Sequence, residues 1–226
     1  IGPGDGALTE EILKQKPKTL LLIEKDYDLS KKLIKKYKNN NLIKIYNEDI
    51  LKFDIEKFTK DNTNIFGNLP YNISSQILIK ILKYKKWPPK FKNLIFMFQK
   101  ELGEKIIGSF PSINYGRLSI ISNYRLNIVT KFLVSPNSFF PKPKVNSMVI
   151  QFQPKQDNLL DLKKVQHLEK ITNILFSNKR KMINKNIKKI LNDGKINRIP
   201  DLQINLRPSD IKPETYYRIA ELFETN

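Results

Sequence analysis

The 226-residue chain contains no cysteine and a single histidine. Without cysteine there is no disulfide framework, no thiolate zinc site and no cysteine nucleophile. One histidine, His167, cannot build a histidine-based metal cluster, and in a helical stretch it reads as an ordinary half-exposed side chain. No metal is therefore expected. No apolar run approaches the ~18 residues of a membrane-spanning helix, so no membrane span is expected either. Arginine is scarce, 6 of the 41 basic residues, as a low-GC genome produces. Acid is scarce as well: 22 Asp plus Glu against 41 Lys plus Arg leave a net charge of +19. Codon bias explains lysine in place of arginine but not the shortage of acid, so the expected partner is a polyanion, nucleic acid before an anionic membrane.

What is present belongs to a folded protein. Hydrophobic residues make up 40% and charged residues 28%, enough for a core without staples. The length suits one main domain and a small appendage. Neither an internal repeat nor a signal peptide is visible, and the lack of cysteine suits a reducing cytoplasm.

The first two-thirds alternates short apolar runs with helical patterns. Strands are predicted at 19–23, 42–46, 64–67 and 94–98, and helices at 8–13, 28–37 and from Ser74 or Ser75 through Leu82. This is the rhythm of βαβ units and a mostly parallel sheet. Two later strands, 126–134 and 147–152, have no helix between them and are expected as an antiparallel hairpin at one edge. After Pro154 a polar stretch leads into helices at 162–176, 181–191 and 213–223. The expected domains are residues 1–156 and 157–226, and both are basic. The chain opens on a glycine cluster that would ordinarily follow a strand, so it is read as truncated upstream.

Three features before the main motif suit a nucleoside cofactor. Gly2, Gly4 and Gly6 form a G-x-G-x-G turn ahead of a helix, where backbone can approach a ligand without a Cβ in the way. The spacing is not that of dinucleotide binders and lacks the Lys-Ser/Thr of a phosphate loop, which disfavours ATP. Glu24, followed by Lys25, ends the first strand, where an acid accepts both hydroxyls of a ribose. Asp49 and Ile50 follow the next strand, where an acid accepts from an adenine amino group and an apolar side chain packs on the ring. Each has a bland alternative: a structural turn, a surface glutamate, a solvated loop.

Asn68-Leu69-Pro70-Tyr71 ends a buried strand and carries the chemistry. The lone pair of an exocyclic adenine amine is delocalised into the ring, which makes the amine a poor nucleophile. Two acceptors on its N–H bonds pull the nitrogen toward tetrahedral geometry and localise the lone pair. The Asn68 side-chain oxygen and the Leu69 carbonyl can be those acceptors, Pro70 stiffens the turn, and Tyr71 offers a stacking face to an unpaired base.

The motif and its continuation through Asn72-Ile73-Ser74-Ser75 resemble the ribosomal RNA adenine N6,N6-dimethyltransferases of the small subunit, the kasugamycin-resistance family. The resemblance runs in order through Gln99-Lys100-Glu101, Tyr115-Gly116-Arg117-Leu118-Ser119, Phe139 to Ser147, Phe176 to Lys181, and Arg207-Pro208. It implies a Rossmann-like α/β methyltransferase fold with a seven-stranded sheet and a small all-α C-terminal domain that binds RNA. It implies S-adenosylmethionine as donor, with Gly2, Gly4 and Gly6 at its methionine half, Glu24 at its ribose, Asp49 and Ile50 at its adenine, and Asn68 beside the methyl. Phe139 would be a second aromatic on the target base. The implied substrate is two adjacent adenosines in a hairpin loop near the 3′ end of small-subunit rRNA, each methylated twice during ribosome biogenesis. We expect a cytoplasmic monomer.

The basic residues Lys179, Arg180, Lys181 and Lys185 are candidates to grip RNA phosphates, with Arg117 a further contact. The plain alternative is a solvated helix face. Two rival functions remain open at this point: a large-subunit rRNA adenine methyltransferase of the macrolide-resistance type, and a non-catalytic assembly factor on the same fold. An intact Asn68–Tyr71 motif beside a glycine loop separates enzyme from pure binder.

Overall fold

The computed structural model describes residues 1–140, 142–156, 162 and 164–225. Its elements run α1 (Ala7–Lys14), β1 (Leu20–Glu24), α2 (Tyr27–Lys36), β2 (Ile43–Asn47), β3 (Thr63–Asn68), α3 (Ser74–Leu82), β4 (Phe91–Gln99), α4 (Lys100–Ile106), α5 (Arg117–Arg125), β5 (Leu126–Val134), β6 (Ser147–Pro154), α6 (Val165–Phe176), α7 (Asn184–Ile187), α8 (Asp193–Ile196) and α9 (Pro213–Glu224). The fold is α/β, as expected. Among the described residues no helix is long and apolar enough to cross a membrane.

The chain divides into two compact units, neither of them one stretch of sequence. The first comprises 1–80, 89–99 and 129–152, the second 81–88, 100–128 and 153–226. The boundary expected between 156 and 157 lies just past the last crossing, and residues 157–161 of the expected polar stretch are outside the described set.

In the first unit β1 pairs with β2 in parallel, and β3 pairs with β4 in parallel with Asn68 beside Met97. The second sheet has the order β3-β4-β6-β5, and β6 runs antiparallel to β4 with Ser147 beside Gln99. The edge position expected of the last two strands is therefore seen. Among the described residues six strands are present, in a two-stranded and a four-stranded sheet. Ile1 and Gly2 bond to strands of both sheets: the Ile1 nitrogen donates to the Phe66 carbonyl (2.8 Å) and Gly2 N–H to the Ile23 carbonyl (2.9 Å). Strand β4 is an apolar run because it is covered on both faces, whereas β5 is exposed along most of its length. Leu94, Phe96 and Phe98 of β4 and Ile150 and Phe152 of β6 are completely buried. Three carboxamides cross the sheet: Gln151 Nε2 donates to Asn93 Oδ1 (2.9 Å) and Asn93 Nδ2 to Asn64 Oδ1 (2.6 Å).

The second unit is mainly helical. Among its contacts, α6 packs on α5, α7 and α9, and α5 on α4 and α9. Arg125 donates to the carbonyls of Leu82 (2.6 Å) and Tyr84 (2.8 Å), and its guanidinium lies over Trp87, 4.5 Å from the ring centre. His167 is 3.1 Å from Glu224 and meets Phe223 edge-on. Two helices, α4 and α5, go beyond the sequence reading. The single helix expected over 181–191 is instead the short α7 followed by turns, although Ile183, Ile187, Ile190 and Leu191 are buried.

Candidate active site

The glycine turn has a backbone that glycine adopts more readily than other residues. Gly2, Gly4 and Gly6 have φ of +61°, +57° and +90°, a region that costs other residues strain. Gly6 N–H donates to the Pro3 carbonyl (3.0 Å), and the Gly6 carbonyl accepts from Glu10 N–H to start α1 (3.0 Å). A Cβ at Gly6 would lie 2.9 Å from Tyr37 Oη and 3.2 Å from Leu33 Cδ2, so α2 bars any side chain there. At Gly4 the same position meets nothing within 4 Å. The loop is thus pinned on one side and leaves open space at Gly4 for a ligand to lie against bare backbone.

Glu24 lies at the end of β1 and is 8% exposed. Its Oε2 accepts from Gly4 N–H (3.2 Å) and its Oε1 from Asp26 N–H (2.9 Å). The residue expected at a ribose therefore also fastens the glycine turn to β1. A carboxylate has about four lone-pair sites, so each oxygen keeps acceptor capacity.

Lys25 and Asp49 form an ion pair of 2.9 Å. Asp49 Oδ1 also accepts from Leu51 N–H (2.9 Å). The hydrogen bond from Lys25, with the one from Leu51 behind it, holds the Asp49 carboxyl below its ordinary range. Ile50 is largely buried, and its carbonyl accepts from Lys80 Nζ (2.8 Å), which also donates to the Phe53 carbonyl (2.6 Å). Burial pulls the Lys80 ammonium below the usual lysine range. Lys80 of α3 thus clamps the loop that carries Asp49 and Ile50. No sequence signal singles it out from the other lysines.

The motif follows β3. Asn68 is exposed, and its carboxamide has no hydrogen-bond partner among the described residues. A side-chain carbon on Gly2 would lie 3.8 Å from the Asn68 carbonyl oxygen, so the glycine turn and the motif adjoin. Leu69 is 2% exposed and anchors the turn in the core. Ile73 N–H donates to the Pro70 carbonyl (3.1 Å), and Ser74 Oγ to the Tyr71 carbonyl (3.2 Å). Ser74 thereby holds the motif, where the sequence suggested a helix cap. Just upstream, a Cβ on Gly67 would fall 2.5 Å from Leu69 Cδ2 and 3.1 Å from Phe96 Cδ1, so any side chain there must displace Leu69. Tyr71 is half-buried, and its hydroxyl shares a 2.7 Å hydrogen bond with Ser147 Oγ. Phe139 is half-buried at the end of the turn 136–138 and makes no ring contact with Tyr71.

The residues fit a nucleoside-bearing methyl donor: an open bare-backbone face at Gly4, acids at the ends of β1 and β2, and an unpartnered carboxamide at the end of β3. Among the described residues no three His, Asp or Glu side chains gather as a metal site requires.

The RNA candidates lie in the second unit. Arg117 opens α5 and hydrogen-bonds Asn173 Oδ1 of α6. Lys179, Arg180 and Lys181 follow the end of α6, Lys185 lies on α7, and these four are exposed. The block around Arg117 is otherwise structural: Tyr115 Oη donates to the Ile211 carbonyl (2.8 Å), and Ser119 Oγ accepts from Gly116 N–H (3.0 Å).

A family model described as ribosomal RNA adenine dimethylase matches residues 1–225. A ribosomal RNA small subunit methyltransferase A from Pelagibacter ubique is 42% identical over 225 residues, covering 99% of this chain and 85% of the relative. Namesakes from Malacoplasma penetrans and Mesomycoplasma hyopneumoniae are 38% and 37% identical, covering 97% and 100% of this chain and 79% and 85% of theirs. Among solved structures, a Plasmodium falciparum dimethyladenosine transferase superposes with a TM-score of 0.75 at 24% identity, covering 99% of this chain and 88% of that one. The 23S rRNA methyltransferase ErmE gives 0.67 at 22% identity, with the same coverage.

Proposed function

The chain belongs to the ribosomal RNA adenine dimethylase family, and from that premise we infer that it dimethylates N6 of adenosine in small-subunit rRNA with S-adenosylmethionine as donor. The observation that carries the reading is the unpartnered Asn68 carboxamide at the end of β3, next to a glycine turn with open space at Gly4. Bound S-adenosylmethionine supplies a methyl group made electrophilic by its sulfonium. Gly2, Gly4 and Gly6 hold the methionine half, Glu24 the ribose, and Asp49 and Ile50 the adenine, with Lys25 fixing Asp49. Asn68 Oδ1 and the Leu69 carbonyl accept the two N6–H bonds of the target and localise its lone pair. Tyr71 stacks on the extruded base, and Phe139 covers its other face. The methylated amine is a strongly acidic cation and loses its proton to water, so no side chain has to act as base.

The substrate is a pair of adjacent adenosines in a hairpin loop near the 3′ end of small-subunit rRNA, each methylated twice. Three relatives at 37–42% identity bear the small-subunit name, which favours this reading over the large subunit. Arg117, Lys179, Arg180, Lys181 and Lys185 grip the RNA backbone, and the protein works as a monomer in the cytoplasm.

Asn68→Ala tests the assignment. S-adenosylmethionine affinity should stay within about threefold, while methyl transfer to unmodified small subunits falls by about 10²–10³, the worth of one preorganised polar group aimed at a reacting centre. Retained transfer would overturn the role of Asn68.

A further inference from the structure

Base stacking needs a ring; it has no use for a hydroxyl. Tyr71 nevertheless carries one, and it is bonded. Its oxygen lies 2.7 Å from Ser147 Oγ, across 76 residues of sequence. Ser147 is completely buried and opens β6. A buried hydroxyl needs a partner, and among the described residues Tyr71 supplies the one hydrogen bond of the Ser147 side chain. The sheet explains how they meet. Ser147 sits beside Gln99 at the end of β4, and β4 lies between β6 and β3, whose end leads into the Tyr71 turn. The Tyr71 side chain therefore reaches past the end of β4 to the far neighbour. The motif is held twice, at the backbone by Ser74 Oγ and at the tip of the ring by Ser147.

Resting on the reading of Tyr71 as the base-stacking ring, we propose that Ser147 is a positioning residue that fixes the Tyr71 ring before substrate arrives. A half-buried aromatic tied only at its backbone can turn about its side-chain torsions. Tied at both ends, it presents one face in one place, and that ordering is complete before the flipped base enters. The tether also joins two parts of the active site. Chain from the Phe139 turn leads into Ser147, so one strand start both follows one base-facing aromatic and restrains the other. The turn that carries Phe139 is held by its own hydrogen bonds: Phe139 N–H donates to the Pro136 carbonyl (3.2 Å), and Ser135 Oγ accepts from Asn137 N–H (3.3 Å).

The test is a double-mutant cycle of Tyr71→Phe and Ser147→Ala, with Tyr71→Ala as reference, assayed on unmodified small subunits under saturating S-adenosylmethionine. Each single variant should lose about three- to tenfold in kcat, the scale of one neutral hydrogen bond. The KM for S-adenosylmethionine should not move, and the double variant should be no slower than either single. Tyr71→Phe keeps the ring and changes no buried side chain, so it reports even where Ser147→Ala lowers stability. If Ser147→Ala slows the Tyr71→Phe protein by its full factor again, Ser147 acts otherwise than through Tyr71 and the proposal fails. If both singles run at the wild-type rate while Tyr71→Ala is inactive, the tether is idle but the stacking role stands. If Tyr71→Ala is itself fully active, the underlying reading of the ring is wrong.

Discussion

Gly67→Ala places one methyl group where the site has no room for it. The new Cβ would lie 2.5 Å from Leu69 Cδ2, 3.1 Å from Leu69 Cγ and 3.1 Å from Phe96 Cδ1. The first of these atoms is the end of a flexible side chain, but Leu69 is 2% exposed and Phe96 is fully buried, so neither can turn away into solvent. Overpacking of this kind costs about 1–3 kcal/mol, and for a chain of this size each kcal/mol lowers Tm by about 2–4 °C. The relief comes from moving Leu69, whose carbonyl is one of the two acceptors proposed for the target amine. A displacement of about 1 Å there should cost about 10²-fold in turnover. Differential scanning calorimetry reads the first effect, and methyl incorporation into unmodified small subunits reads the second, with the KM for S-adenosylmethionine nearly unchanged. Gly194→Ala is the control: its Cβ would meet nothing nearer than 3.6 Å and would sit in α8, where alanine is the better helix former. Wild-type Tm and turnover in Gly67→Ala would refute the steric argument and the placement of Leu69 together.

Two further predictions concern the proposed adenine side of the cofactor site. Lys80→Met removes both donors to the Ile50 and Phe53 carbonyls; the KM for S-adenosylmethionine should rise about tenfold with kcat and the KM for subunits little changed, as steady-state kinetics can show. The Asp49 carboxyl is held below its ordinary range in the folded state, so its contribution to stability is complete above the ordinary carboxyl range and is lost as pH falls through the folded value. Urea melts should accordingly show a flatter acid limb for Asp49→Asn than for the wild type, and identical acid limbs would contradict the Lys25–Asp49 linkage.

The sequence was legible wherever one periodicity dominated. The apolar runs of β1 and β4 are largely buried strands, and the buried face of α3 appears at helical spacing, whereas Ile34, whose spacing would put it on the inner face of α2, is exposed. Helix α5 was not legible: Ser119, Ile120, Ile121, Ser122, Tyr124 and Arg125 are all buried, so it has no polar side and no stripe to read. Helix α4 is one short element with Gly103 in its middle. The apolar spacing from Ile183 to Leu191 correctly marks a buried face, but the chain makes it with turns, and Asn192 caps the separate α8 through Lys195 N–H (2.9 Å). In the proposed site, the motif names residue types suited to the chemistry. The bonds of Lys80 to the Ile50 and Phe53 carbonyls and of Ser147 to Tyr71 leave no local signal, because they join segments far apart in sequence.

The most direct test of the account is mass spectrometry of digested rRNA after incubating the protein with S-adenosylmethionine and small subunits that lack the modification, with large subunits in parallel. The account predicts N6,N6-dimethyladenosine in small-subunit rRNA, absent with Asn68→Ala. Dimethyladenosine in large-subunit rRNA alone, or tight subunit binding with no methylation of either, would contradict it.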